Sequence, residues 1–198
     1  MVSGLENSVI KVAAIGGSIR QASYSNGLIR AAIELSKESI VGMEVEHLDI
    51  SQLPMQNIDL EGEDHGGSFH QLLKIYDRKF LNLIAFFFHL PTPLKNAIDW
   101  ASRPPNVWAD KAAAIISASG GMGGARGQLH LRQIGVFLDF HFINKPEFFL
   151  NAFQPPAKFD SQGNLVDENT RESLKEVLLA LQAFTWRLKT ATNAEINA

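Results

Sequence analysis

Apolar and polar positions along this chain repeat with two different periods, and the two alternate. Val9–Ile15 (VIKVAAI) is β-branched and apolar and stops at Gly16-Gly17, so it reads as a strand. Asn26–Ser39 puts Leu28, Ile29, Ala32, Ile33 and Leu35 at helical spacing. Val45–Ile50 (VEHLDI) alternates and reads as a second strand. Leu53–Ser68 is a loop rich in Pro, Gly and acidic residues, and Phe69–Lys79 reads as a helix. Leu83–Leu90 reads as a buried parallel strand, for which the unbroken apolar run Leu83–Phe88 is normal. Lys95–Ala101 is helical, and Lys111–Ile116 (KAAAII) is a strand entering a glycine-rich loop. Gln128–Leu138 is a helix, His141–Ile143 opens a further strand, and Thr170–Lys189 closes the chain as an amphipathic helix.

Strands alternating with helices predict an α/β fold, a parallel sheet with helices on both faces. Right-handed crossovers leave few topologies. Five strands suggest the flavodoxin-like, doubly wound order 2-1-3-4-5, whose ligands lie outside the carboxyl ends of the strands. A length of 198 residues fits a single domain spanning 1–198. Gln154–Asn164 is the only candidate linker, and it leads directly into the last helix.

Composition narrows the function. With 45% apolar and 20% charged residues, the chain reads as soluble and globular. A net charge of −3 and scattered basic residues argue against nucleic acid or an anionic membrane as partner. There is no cysteine, which excludes disulfides, thiolate metal sites and a catalytic thiol, and fits a cytoplasmic location. MVSGLENSV lacks the basic cluster and apolar stretch of a secretory signal. His47, His65, His70, His89, His130 and His141 show no ligand spacing with carboxylates, so no metal is expected; Glu61, Glu63 and Asp64 read as a solvated acidic loop.

Two loops carry the candidate chemistry. After the first strand comes GGSIRQASYSNGLIRAA, Gly16–Ala32. Ser18, Ser23 and Ser25 offer hydroxyls, Arg20 a forked cation, and a helix starting near Ser25 or Asn26 adds free N–H groups, which together make an anion site. The Gly-Lys-Ser/Thr ending of a triphosphate loop is missing, so the loop is read as a monophosphate site. The other reading is a polar loop in which Ser25 or Asn26 only caps the helix. After the fourth strand comes SASGGMGGARG, Ser117–Gly127, which lets backbone N–H groups approach a planar ligand. A dinucleotide fingerprint on Gly121 and Gly123 fails at Arg126, where its third glycine should stand. A plain flexible turn is the remaining reading.

GGSIR…SYSNGLIRAA, PLKNAIDWASRPPNVWADKAAAIISASGGMGG and LRQIGVFLDFHFINKPEFFLNAFQPP resemble the NADPH-dependent FMN reductase family, and most of all its plant NAD(P)H:quinone oxidoreductases. The resemblance covers nearly the whole chain. It implies bound FMN, homodimers or homotetramers, and two-electron reduction of a quinone or other small acceptor by NAD(P)H. It places the FMN phosphate on Ser18, Arg20, Ser23 and Ser25, though relatives often carry asparagine where Ser25 stands. It places the flavin ring against Ser117, Ser119, Gly120 and Gly121. The flavin carries the chemistry, so no general acid or base is named.

One segment departs from that family. Its second flavin loop reads approximately Pro-Glu-Tyr-Asn-Tyr-Ser, a few residues before Pro-Leu-Lys-Asn. Here Pro93-Leu94-Lys95-Asn96 is present, but only His89-Leu90-Pro91-Thr92 precedes it. One codon choice for Asn82–Pro91, read one base earlier, gives Ser-Asp-Cys-Ile-Leu-Phe-Ser-Ser-Pro, as the family's third strand usually reads. That suggests a frame change through roughly Asp77–Leu90 with loss of several residues; ordinary divergence is the alternative. Loss of the loop would impair the reductase, and a non-catalytic relative or subunit with weak FMN binding is the rival reading. Phe137, Phe140, Phe142, Phe148 and Phe149 read as core or subunit contact, and Trp100 and Trp108 as oligomer surface or internal packing.

Overall fold

A computed structural model of the chain describes residues 9–57, 59, 83–85, 90–104 and 106–196, with backbone alone for 83–85 and 191–196. The predicted helix at 69–79, the acidic loop, and the 77–90 segment apart from 83–85 and residue 90 lie outside these residues.

Strand β1 (Ile10–Ala14) leads to helix α1 (Tyr24–Glu38) and strand β2 (Met43–His47). Strand β3 (Leu83–Ala85) precedes helix α2 (Thr92–Ser102), strand β4 (Ala112–Ser119) and helix α3 (Ala125–Leu138). Strands β5 (His141–Phe142) and β6 (Phe148–Asn151) come before the long helix α4 (Glu168–Ile196). Hydrogen-bonded neighbours run β2-β1-β3-β4-β5, with β6 pairing β4 off that path, and every pairing is parallel. The single fifth strand expected from the sequence is therefore two short pieces along one edge of β4. Ala112 and Ala113 pair with His141 and Phe142, and Ile116 to Ser119 pair with Phe148 to Asn151. Between them stands Pro146, which has no N–H to give the ladder.

Alternation along β1 and β4 builds two cores. Ile10, Val12, Ala14, Ala112, Ala114 and Ile116 face Leu28, Ile29 and Leu35 of α1 and Leu174, Leu178 and Leu181 of α4. Ala13, Ile15, Ala113 and Ile115 face Leu94 and Ile98 of α2 and Leu131 and Leu138 of α3. Both faces are covered, which is why these strands read as continuous apolar runs rather than alternating ones. Trp100 and Trp108 are buried in the second core, with the Trp108 indole N–H on the Ile98 carbonyl at 3.0 Å, so they are internal packing. Phe140 and Phe148 are buried, whereas Phe137 is 86% exposed.

Helix α2 anchors the chain after β2. The Asn96 amide accepts from the Gln56 N–H at 2.6 Å and donates to the Pro54 carbonyl at 2.8 Å, which also takes the Trp100 indole N–H. Asn96 of the Pro-Leu-Lys-Asn motif thus holds the segment 54–56 against α2. No described helix is long and apolar enough to cross a membrane.

Candidate active site

The loop between β1 and α1 is held by its own polar groups. Ser23 is the N-cap of α1, accepting the Asn26 N–H at 3.2 Å, and its backbone N–H donates to the Arg20 carbonyl at 3.1 Å. The helix therefore starts earlier than expected, and neither Ser25 nor Asn26 is its cap. Ser25 sits in the first turn, where its N–H and that of Tyr24 belong to the turn that has no intrahelical acceptor. Ser18 accepts the Arg20 N–H at 3.3 Å. Arg20 is exposed, and its guanidinium has no partner among the described residues. Ser18, Arg20, Ser23 and Ser25 thus belong to one short loop and the helix end that closes it.

The loop also holds an unmet acceptor. The Asn26 side-chain N–H donates to the Arg20 carbonyl at 3.0 Å, which fixes the amide's orientation. Its Oδ1 is buried and has no hydrogen-bond partner. A buried carbonyl without a donor is costly, so the site fits a ligand hydroxyl there. The ribityl chain of FMN has such hydroxyls next to a phosphate, and the surrounding serines, N–H groups and Arg20 suit the phosphate. The residues present fit FMN. The sequence marks Asn26 only as a possible helix cap, not as a ligand contact; its position in the first turn behind three serines is the available signal.

A cavity of about 440 Å³ opens on the β2 side of this loop, lined by Gly16, Ser18 and Asn26 on one wall and His47, Asp49 and Ser51 on another. Hydrogen bonds from the Ser51 backbone and hydroxyl hold the Asp49 carboxyl below its usual pKa, so it is ionised at neutral pH. Burial lowers the His47 pKa; Asp49 opposes that shift and Arg30 adds to it. Arg30 lines the cavity as well, so the Asp49 carboxylate and a guanidinium share it and its charge is mixed.

The glycine-rich loop divides the other candidates. Ser117 lies inside β4, fully buried, with its hydroxyl on the Gly123 carbonyl at 2.5 Å and accepting from Gln128 at 2.8 Å. The structure does not bring it to the loop surface. Its strand position points it at α3, where it braces the loop from behind. Ser119 ends β4 and is also buried, and its carbonyl accepts the Ala152 N–H at 2.8 Å. Gly120 and Gly121 form the accessible part. A Cβ on Gly121 would meet nothing within 4 Å, and one on Gly120 only the Phe153 ring at 3.9 Å. Phe153 is 70% exposed and stands edge-on to Tyr24 at 5.7 Å. It connects the two loops across the mouth between them, and sequence patterning gave no sign of it. Gln128 was missed too: a lone amide on the apolar face of a helix looks like surface until Ser117 is placed opposite.

A model of the NADPH-dependent FMN reductase family matches residues 10–155. The chain is 59% identical over 188 residues to an NADPH:quinone oxidoreductase of Arabidopsis thaliana, covering 91% of this chain and 94% of that one. It is 58% identical over 188 residues to an NAD(P)H:quinone oxidoreductase of Solanum tuberosum, covering 91% and 95%. Among solved structures it is similar to FerB, a flavoenzyme NAD(P)H:acceptor oxidoreductase of Paracoccus denitrificans, with a TM-score of 0.71, 28% identity, and coverage of 92% and 98%. Agreement in sequence over nine-tenths of the chain, together with the family model matched over residues 10–155, assigns this chain to the NADPH-dependent FMN reductase family.

Proposed function

We propose that this chain is an FMN-dependent NAD(P)H:quinone oxidoreductase. FMN, when bound, would supply two-electron redox chemistry between NAD(P)H and a quinone. Ser18, Arg20, Ser23 and Ser25 bind its phosphate, and Asn26 accepts from its ribityl chain. Gly120 and Gly121 let the backbone approach the ring, with Ser119 at the strand end behind them. Ser117 shapes that loop without touching the ligand. The observation that carries the reading is the loop of 16–26, where free donors and one unmet buried acceptor stand side by side.

Titrating apoprotein with FMN and with riboflavin tests it. A charge-assisted contact contributes about 1.5–3 kcal/mol, so Arg20→Ala should weaken FMN binding about tenfold or more and leave riboflavin binding unchanged. Equal affinity of the unaltered chain for both flavins rules the phosphate assignment out.

A second reading, a relative that holds FMN poorly, is favoured by the missing Glu-Tyr-Asn-Tyr-Ser segment before Thr92. Stoichiometric flavin on the purified chain and rapid NAD(P)H oxidation with a simple quinone would exclude it. The same proposal includes a homodimer or homotetramer in the cytoplasm. One face of α3 exposes Leu129, Val136 and Phe137 with the polar Gln133 among them, a mixed surface suited to a second copy.

A further inference from the structure

Past the family-matched stretch, which ends at residue 155, the chain does not run as a linker. It folds back against α1. Phe159 and Leu165 form an antiparallel bridge, and between them the backbone turns at 160–164. The Asp160 carboxylate organises that turn, accepting the N–H groups of Gln162 at 2.9 Å and Asn164 at 2.8 Å. It also takes the Asn164 side-chain N–H at 3.0 Å, which leaves the Asn164 carbonyl oxygen facing outward as an acceptor. These bonds hold the Asp160 carboxyl below its usual pKa.

Arg30 uses what the turn presents. Its Nε donates to Asn164 Oδ1 at 2.9 Å and one Nη donates to the Gln162 carbonyl at 3.3 Å. The other Nη donates to the Gln21 carbonyl at 3.3 Å, inside the anion loop and one residue from Arg20. All three acceptors are neutral; the Arg30 charge also acts on the Asp160 carboxylate, but the hydrogen bonds themselves depend on the fork. A planar guanidinium spans three fixed acceptors in a way an ammonium cannot. A second contact lies beside it. Gly163 approaches the Ala22 carbonyl so closely that a Cβ there would stand 2.6 Å from the oxygen.

We infer that Arg30 is a positioning residue for flavin binding. Its guanidinium ties the Gln21 carbonyl to the 160–164 turn and thereby fixes the loop that carries Arg20 and the phosphate-binding serines. The inference rests on the phosphate reading above. Without the clamp, the segment 19–22 must be ordered each time the ligand binds, and the entropic cost falls on the phosphate-dependent part of the affinity.

Two variants and two readouts test it. Arg30→Lys keeps the charge and loses the fork, while Asn164→Ala removes one acceptor and leaves Arg30 in place. Each is titrated as apoprotein with FMN and riboflavin, and each is digested with trypsin under native conditions, following cleavage after Arg20 by mass. Thermal melts confirm that the variants are folded. In Arg30→Lys the preference for FMN over riboflavin should fall about tenfold, with riboflavin affinity unchanged. Cleavage after Arg20 should be faster in both variants. An unchanged preference together with unchanged cleavage in the folded variants overturns the inference. Faster cleavage in a protein whose unaltered form does not prefer FMN would place the failure in the phosphate reading, and the loop-holding role of Arg30 would stand.

Discussion

Replacing Gly27 by alanine opposes two well-understood effects. Gly27 lies inside the first turns of α1, where alanine is favoured over glycine by about 1 kcal/mol. Helix propensity alone therefore predicts a more stable protein. Packing predicts the reverse. A Cβ on Gly27 would collide with the Gly163 carbonyl oxygen, stand 3.1 Å from its carbon and 3.3 Å from the Phe159 ring. Neither neighbour has room to retreat locally. Gly163 is already wedged against Ala22, at a φ of +74° that other residues rarely adopt. Phe159 is stacked on Tyr24 with ring centroids 4.4 Å apart. The whole turn must move off the helix, breaking the two bonds from Arg30 to Asn164 and Gln162 and loosening the stack. Two hydrogen bonds at about 0.5–1.5 kcal/mol each and one aromatic pair at about 0.5–1.5 kcal/mol sum to roughly 1.5–4.5 kcal/mol. After the propensity gain, the net effect is a destabilisation of roughly 0.5–3.5 kcal/mol. Urea unfolding of both apoproteins measures it as a lower midpoint at unchanged slope. A midpoint equal to or above that of the unaltered chain would show that the turn yields freely, and the close approach of Gly27 and Gly163 would carry no energy.

Ser117→Ala should cost about 1–3 kcal/mol in unfolding free energy, because it orphans the Gly123 carbonyl behind the glycine-rich loop, while the FMN-to-riboflavin preference stays unchanged. A large selective loss of FMN would instead return Ser117 to the ligand. Asp167 is held at a pKa of about 2 by the Thr170 hydroxyl and by Lys158, against an ordinary value of 3.8. Its contribution to stability is complete above about pH 4 and lost as pH falls through about 2, so the melting-temperature gap to Asp167→Asn should close across that window and stay constant above it. Phe137→Glu puts a charge into the exposed face of α3 and should shift the protein to smaller species in sedimentation velocity; an unchanged distribution moves the subunit contact elsewhere.

The strands were legible because both faces of the sheet are covered, so β1 and β4 appear as uninterrupted apolar runs. The start of α1 was not. Ser23, Ser25 and Asn26 are all good caps, and Ser23 is the one whose cap leaves Tyr24 between Phe153 and Phe159. The second half of the fifth strand was hidden by Lys145, Pro146 and Glu147, which locally resemble a loop. Residues 154–164 read as a linker from their Pro, Gly, Asn and Asp, yet that composition is what a tightly bonded turn requires as well. Of the two candidate loops, the glycines and serines were visible from residue type. What type cannot give is parity along a strand: Ser117 and Ser119 belong to β4, on the side that packs on α3, and only the length of that strand reveals it.

The cover supplied by α4 has a consequence for how the chain is made. One face of β1 and β4 is completed by Leu174, Leu178 and Leu181, close to the end of the sequence. At ribosomal speeds of about 5–20 residues per second, roughly ten to thirty seconds separate the emergence of β1 from that of its last covering residues. Throughout that interval Ile10, Val12 and Ala14 lack part of their native partners. Nascent-chain binding by holdase chaperones should therefore persist until α4 leaves the tunnel and then fall abruptly.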